Sequence, residues 1–199
     1  MQASGRLTIS PDDLDLRRTL TPSQSFRWKE DDLGRWTGVV GRKVVRLWRE
    51  GPDILYEVFS GAPTSWSALS AGGDTRGPDE LLADYFRLDV DLRYLYDHFR
   101  SADERIRGAI DRLKGLRVLR QDPEDTLLSY MCTAANSLRR IVPAIEELSK
   151  RYGDLIAGID GIPYYSFPSP QAIIRADPEE LAGVCGVCFR GPNLHSVAT

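Results

Sequence analysis

Cysteine is scarce in this chain, three among 199 residues, which is too few for a disulfide framework. Histidine is scarcer still: His98 and His195 do not complete a tetrahedral metal set around the C-x-x-C pair Cys185 and Cys188 or the solitary Cys132. The residues therefore predict no metal centre, and no cofactor is expected. There is no apolar run of the roughly 18 residues a membrane span needs, and no charged-then-apolar leader follows Met1. Neither membrane insertion nor export is expected, and a reducing cytoplasm is. An excess of positive charge is missing too, because 26 Lys and Arg stand against 29 Asp and Glu for a formal net charge of −3. Overall charge gives no support to a nucleic-acid partner, although phosphate contact needs a local patch and not a total. A nucleophile elbow, a phosphate-cradling glycine loop and an H-E-x-x-H motif are all absent, which removes the commonest hydrolase, nucleotide-binding and metalloprotease readings.

What is present describes a globular protein, 42% hydrophobic and 28% charged, long enough for one large domain or two small ones. Trp28, Trp36 and Trp48 cluster near the start, where β-branched and aromatic runs predict strands at 7–10, 26–28, 36–40, 43–48 and 54–59. Turn signals at Asp31 to Gly34, Gly41-Arg42 and Gly51-Pro52-Asp53 make these an antiparallel meander. Residues 61–79 are rich in small and turn residues and read as a surface loop. From Glu80 the period becomes helical. Leu81, Leu82, Tyr85 and Phe86 form one apolar stripe and Leu92, Leu95, Tyr96 and Phe99 a second. Further helices are predicted at 102–114, 122–136, 137–152, 169–175 and 178–184. Strands first and helices afterwards imply an α+β fold in two parts, residues 1–115 and 116–199.

Two features invite a chemical reading. Asp122 and Glu124 are near enough to act as paired carboxylates, yet Asp122-Pro123-Glu124 has the order of an N-cap, a first-position proline and a first-turn acid. Capping is the expected role. Basic residues crowd the junction of the two parts: Arg100, Arg105, Arg107, Arg112, Lys114, Arg117 and Arg120, with Arg139, Arg140, Lys150 and Arg151 further on. Such runs are usually solvated helix faces, and Asp103, Glu104 and Asp111 stand near enough in sequence to pair with several of them.

Four segments in order carry a resemblance. They are Gln24-Ser25-Phe26-Arg27-Trp28 with Trp36-Thr37-Gly38-Val39; Tyr85-Phe86-Arg87-Leu88-Asp89-Val90 with Leu95-Tyr96; residues 116–124, then 129–137, with Arg140-Ile141; and Gly186-Val187-Cys188-Phe189-Arg190. At these spacings the chain resembles the 8-oxoguanine DNA glycosylase family over nearly its whole length. The resemblance implies an N-terminal antiparallel sheet domain followed by an incomplete all-α domain of the helix-hairpin-helix glycosylase type. It also implies an activity in base-excision repair. In the family an oxidised guanine is flipped out of duplex DNA, its glycosidic bond is cut by a lysine amine, and the strand is nicked through the Schiff base. The implied partner is double-stranded DNA containing oxidised guanine, and the implied state is a monomer.

Carried over by motif, Phe189 falls where the family usually has a tyrosine wedge, and Arg190 and Arg140 match two arginines that hydrogen-bond the unpaired cytosine, a task suited to a rigid donor fork. Asn136 offers an amide to the same base, or else serves as a helix N-cap. It follows Ala135 where better-known members have an Asn-Asn pair. Ser23 stands where the family often has a glycine whose carbonyl accepts the extra N7 hydrogen of 8-oxoguanine. It is equally readable as a turn residue after Pro22. The family's nucleophilic lysine and helper aspartate match no residue here and are expected beyond Thr199. The implied function is therefore a DNA glycosylase with AP lyase activity whose catalytic segment these 199 residues lack, so that they are inactive alone. The alternative is a non-catalytic damaged-DNA-binding module or half of a split enzyme. On this reading the apolar faces around Leu138, Ile141, Ile145 and Leu148 are left without partners and exposed.

Overall fold

Residues 53–59 run Asp-Ile-Leu-Tyr-Glu-Val-Phe with Ile54, Tyr56 and Val58 all buried, the period-two burial of a strand with one face on a core. The structure, a computed structural model, describes residues 2–21, 24–61, 76–133, 137–184 and 190–199. In its first part β1 (Gln2–Thr8), β2 (Lys29–Glu30), β3 (Trp36–Val40), β4 (Lys43–Glu50) and β5 (Asp53–Phe59) form one antiparallel sheet in the order β1-β5-β4-β3-β2. Helices α1 (Leu16–Leu20) and α2 (Pro78–Tyr85) cover one face. Leu81, Leu82, Tyr85 and Phe86, the predicted stripe, are buried there with Leu47, Ile54 and Tyr56. The other face carries a hairpin of β6 (Leu155–Ile159) and β7 (Ile162–Tyr165), whose Ile156 and Ile159 pack on Val39 and Val44. Both faces of β3 are thus covered. This explains why all five of its residues are buried and why Trp36 to Val40 shows no alternation in sequence.

The hairpin corrects the expectation of an all-α second part. Its turn is made by Asp160 and Gly161 at φ 52 and 79, left-handed positions that suit glycine and the short acidic side chain. Helices α3 (Leu92–Ala102) and α4 (Arg107–Arg112) complete the first part, and the other described elements of the second are helical: α5 (Pro123–Met131), α6 (Leu138–Tyr152), α7 (Pro170–Arg175), α8 (Pro178–Val184) and α9 (Arg190–Ala198). The faces expected to lie open do not. Ile141, Ile145 and Leu148 are buried against Phe167, Ile173, Leu181 and Leu194, so α7, α8 and α9 close a second core on α6. Only Leu138 of that set stays exposed.

Other boundaries moved for local reasons. The strand expected at 7–10 lies at 2–8, paired with β5 in the register Leu7 to Ile54. The strand expected at 26–28 is irregular, because Phe26 enters the second core while Trp28 enters the first. The Trp28 indole lies across Gly38, where an added Cβ would fall 2.4 Å from the ring, so β3 needs glycine there. The helix expected at 102–114 breaks at Asp103, whose carboxylate accepts the Arg105 N–H and caps a 3₁₀ turn at Glu104–Ile106. The helix expected at 122–136 ends at Met131.

Candidate nucleic-acid interface

Helix α5 begins as its sequence dictates: the Asp122 carboxylate accepts the N–H groups of Glu124 and Asp125, and Pro123 occupies the first helical position. Asp122 and Glu124 are capping groups and not a catalytic pair. Helix α6 starts at Leu138 with Ser137 as its N-cap residue. Asn136 is not the cap of this helix; it lies outside the described residues. Arg139 and Arg140 stand exposed in the first turn of α6, and among the described residues neither meets a carboxylate. Two guanidiniums where a helix presents its positive end make a local field that only an anion relieves.

Most of the remaining basic cluster is spoken for. Arg100 pairs with Asp97 and Asp111, Arg105 with Asp103, Arg107 with Glu104, and Lys114 with Asp12. Arg120 holds Asp84 and Asp89, and Arg151 holds Glu147 and Glu180. Arg117 is only 4% exposed and donates to the carbonyls of Asp13, Arg87 and Val90. Arg112 on α4 and Lys150 near the end of α6 pair with no described carboxylate.

The Gln24 to Trp28 segment is sewn to the second part by its polar side chains. Gln24 Nε2 donates to the Arg117 carbonyl at 2.8 Å, its Oε1 accepts the Leu119 N–H at 3.1 Å, and Gln121 Nε2 donates back to the Gln24 carbonyl at 2.6 Å. Arg27 Nη2 donates to the Tyr165 carbonyl on β7, and Trp28 Nε1 donates to the Tyr85 hydroxyl at 2.9 Å. Phe26 meets the Tyr130 ring of α5 at 5.3 Å between centroids. Tyr130 is half exposed, and with exposed Leu127 it edges a cleft of about 600 Å³ lined also by Arg87, Arg120, Gln121 and Thr126. An exposed aromatic next to arginines is a surface on which a base stacks. Sequence reasoning quoted Gln24, Arg27 and Tyr130 within motifs but gave them no task. The signal available was polar residues set between aromatic ones.

Of the sequence-predicted site residues, Arg140 alone has a described side chain. Arg190 opens α9 and only its backbone is described. Ser23 and Phe189, like Asn136, lie outside the described residues, as do Cys185 and Cys188. Cys132 is buried, and its thiol donates to the Leu128 carbonyl at 3.5 Å. Among the described residues no group of three metal-ligating side chains occurs, and no helix is long and apolar enough to cross a membrane. Three of the four lysines are engaged: Lys29 with Glu146, Lys43 with the Arg76 carbonyl at 3.0 Å, and Lys114 with Asp12 at 3.5 Å.

An antiparallel sheet stitched to a helical body, with two guanidiniums at one helix start that meet no described carboxylate, defines an α+β protein with a cationic surface site. The family model for the N-terminal domain of 8-oxoguanine DNA glycosylase matches residues 6–127. The chain belongs to the 8-oxoguanine DNA glycosylase family. It is 30% identical over 195 residues to the N-glycosylase/DNA lyase of Saccharomyces cerevisiae, covering 98% of this chain and 51% of that protein. It is 29% identical over 175 residues to N-glycosylase/DNA lyase OGG1 of Arabidopsis thaliana, covering 87% and 45%. The solved structure of MBOgg1 in complex with a low-affinity DNA ligand superposes with a TM-score of 0.80 at 28% identity, over 99% of this chain and 61% of that one. The chain thus spans about half the length of the curated relatives it matches.

Proposed function

We propose that this chain is the DNA-reading portion of an 8-oxoguanine DNA glycosylase/AP lyase, working as a monomer in the cytoplasm on duplex DNA that carries oxidised guanine. The observation that carries the reading is the pair Arg139 and Arg140 at the start of α6, which meets no described carboxylate and lies beyond the family-model match but within the stretch aligned to the Saccharomyces cerevisiae relative. In this reading Arg140, Arg190 and Asn136 hold the unpaired cytosine, Phe189 fills the gap in the stack, and Ser23 meets the damaged base through its main chain. Tyr130, half exposed against Phe26, supplies one wall for the extruded base. Residues 1–115 and 116–199 are the two working parts.

The 199 residues bind without cutting. Schiff-base chemistry needs a desolvated amine with a carboxylate near it, and three of the four lysines are held in ion pairs or a carbonyl bond while Lys150 sits exposed at the far end of α6. That arrangement also supports a second reading, a damaged-DNA-binding module or half of a split enzyme, since the second core closes on itself. The test is duplex binding across a salt series, with borohydride added to samples carrying 8-oxoguanine opposite cytosine. Salt-dependent binding with no covalent complex is expected. Absence of binding overturns the DNA reading, and a trapped complex overturns the claim of inactivity.

A further inference from the structure

Helix α2 ends in a Schellman turn: the Arg87 N–H donates to the Asp84 carbonyl at 3.0 Å and the Leu88 N–H to the Ala83 carbonyl at 2.8 Å. This closure needs a left-handed residue at position 87, which glycine supplies without strain, and the residue there is arginine at φ 53. The other non-glycine residue at positive φ among those described is Asp160, whose short polar side chain tolerates it; an arginine side chain does not. The turn is held from outside, because the Arg87 carbonyl accepts from Arg117 Nη1 and the Arg120 N–H donates to the Tyr85 carbonyl at 2.8 Å. Strain enforced by neighbours, where glycine would be free of it, points to a side chain retained for what it does.

That side chain lines the cleft of about 600 Å³ that half-exposed Tyr130 edges. Its Nε is buried with no hydrogen-bond partner, a costly state for a charged donor. Asp89 lies 3.8 Å away, which balances charge without a hydrogen bond, and the same carboxylate meets Arg120 at 3.5 Å. Among the described residues no carboxylate lines the cleft: Arg87, Arg120, Gln121 and Thr126 are its polar wall, with Leu127 and the Tyr130 ring beside them. An open donor next to an aromatic ring suits a flat heterocycle with a carbonyl at its edge. A strand phosphate stays at the duplex surface and does not reach a buried nitrogen.

Oxidation of a purine at C8 changes two groups on one edge of the ring: C8 gains a carbonyl oxygen and N7 gains a hydrogen. A guanidinium only donates, so of these two it can meet only the oxygen. We infer that Arg87 is a specificity-determining residue that donates to the C8 carbonyl of an extruded 8-oxopurine lying in this cleft. The inference rests on the damaged-base reading proposed above and widens its substrate class. Because the C8 carbonyl is common to both lesions, 8-oxoadenine gains over adenine through Arg87 as 8-oxoguanine gains over guanine.

The experiment measures the affinity of the 199-residue chain, and of its Arg87→Gly and Arg87→Met variants, for four duplexes that differ at one position: guanine, 8-oxoguanine, adenine or 8-oxoadenine. Cytosine stands opposite in all four, so the orphaned base is the same, and urea unfolding is followed for each protein. The wild-type chain is expected to prefer each 8-oxopurine to its parent base. Both variants are expected to lose roughly tenfold of each preference, the worth of one charge-assisted hydrogen bond. Affinity for the undamaged duplexes stays within about twofold. Arg87→Gly unfolds at no lower urea concentration than wild type, because relief of strain offsets the freedom glycine adds to the unfolded chain. A wild type that prefers neither 8-oxopurine overturns the damaged-base reading and this inference with it. A preference confined to 8-oxoguanine, or one that both variants keep, overturns the inference alone. So does a loss in Arg87→Gly that Arg87→Met does not share, which assigns the effect to the backbone. A preference that rises in the variants overturns it by making Arg87 a reader of O6 and N7 in undamaged guanine. Equal weakening on all four duplexes assigns Arg87 to phosphate, and unfolding of Arg87→Gly at lower urea makes it structural; either one overturns the inference.

Discussion

The chain has two arginine-rich regions that look alike in sequence and differ in the folded state. Between residues 100 and 120 most cations are consumed locally: four of the seven basic residues hold acidic neighbours on the same segment or on α2 and its exit, Lys114 reaches Asp12, and Arg117 is buried on three carbonyls. At 139–140 two arginines sit side by side with no described carboxylate to answer them. A charged side chain already paired gains little by meeting a phosphate, because it must give up one partner for another. Unpaired charge is what attracts a polyanion, and the count of basic residues in a segment does not report it.

The largest effect that sharpens this contrast lies in the neutralised region. Arg117→Met removes a guanidinium that satisfies the carbonyls of Asp13, Arg87 and Val90, leaving buried acceptors without donors. Unfolding in urea is expected to show a loss of about 3 kcal/mol or more. Any loss of DNA affinity should vanish once corrected for the unfolded fraction. A variant that stays stable yet binds DNA poorly would break the contrast by making Arg117 an interface residue.

The opposite pattern is expected at Arg140. Arg140→Ala should weaken binding to a duplex with cytosine opposite the lesion by about 1–3 kcal/mol. Unfolding should stay within about 0.5 kcal/mol of wild type, since the side chain is exposed and meets no partner among the described residues. If Arg140 reads the orphaned base, the preference for cytosine over adenine opposite the lesion narrows as well. Uniform weakening across opposite bases would assign it to phosphate.

Much of this was legible before folding was considered. Strands predicted at 36–40, 43–48 and 54–59 from β-branched content and turn residues lie at 36–40, 43–50 and 53–59, and the α5 cap followed from Asp122-Pro123-Glu124. The hairpin at 155–165 did not, because Ile156 and Ile159 are apolar to suit Val39 and Val44, partners more than a hundred residues away. The closed second core was missed for the same reason: Leu181 and Leu194 sit in short helices with weak patterns of their own and are buried only by packing among separate elements, with Leu128, Ile145, Ile173 and Phe26 in the same cluster. The candidate site was legible through its motif and not through charge. The residues that stitch the two parts, Gln24 and Arg27, are polar side chains whose partners are main-chain carbonyls, and no sequence pattern records a carbonyl.

The smallest effect is the most discriminating. Arg100 holds Asp111 across the α3–α4 junction and Asp97 within α3, and it is the kind of residue a charge count would place on DNA. Exposed pairs of this sort are worth about 0–1 kcal/mol, and salt at ordinary strength reduces even that. Arg100→Ala is therefore expected to leave stability nearly unchanged, and the dependence of DNA affinity on salt should keep its slope. If Arg100 neutralised a phosphate, its removal would lower that slope by about 0.9, the equivalent of one released counterion. Because Arg100 is already neutralised by two carboxylates, replacing it frees Asp97 and Asp111 and makes the local field more negative. If this face touched DNA, the variant would bind more weakly at low salt even where Arg100 itself met no phosphate. An unchanged slope together with unchanged low-salt affinity places DNA away from α3 and α4, and a change in either one brings the neutralised region into the interface and ends the contrast with Arg139 and Arg140.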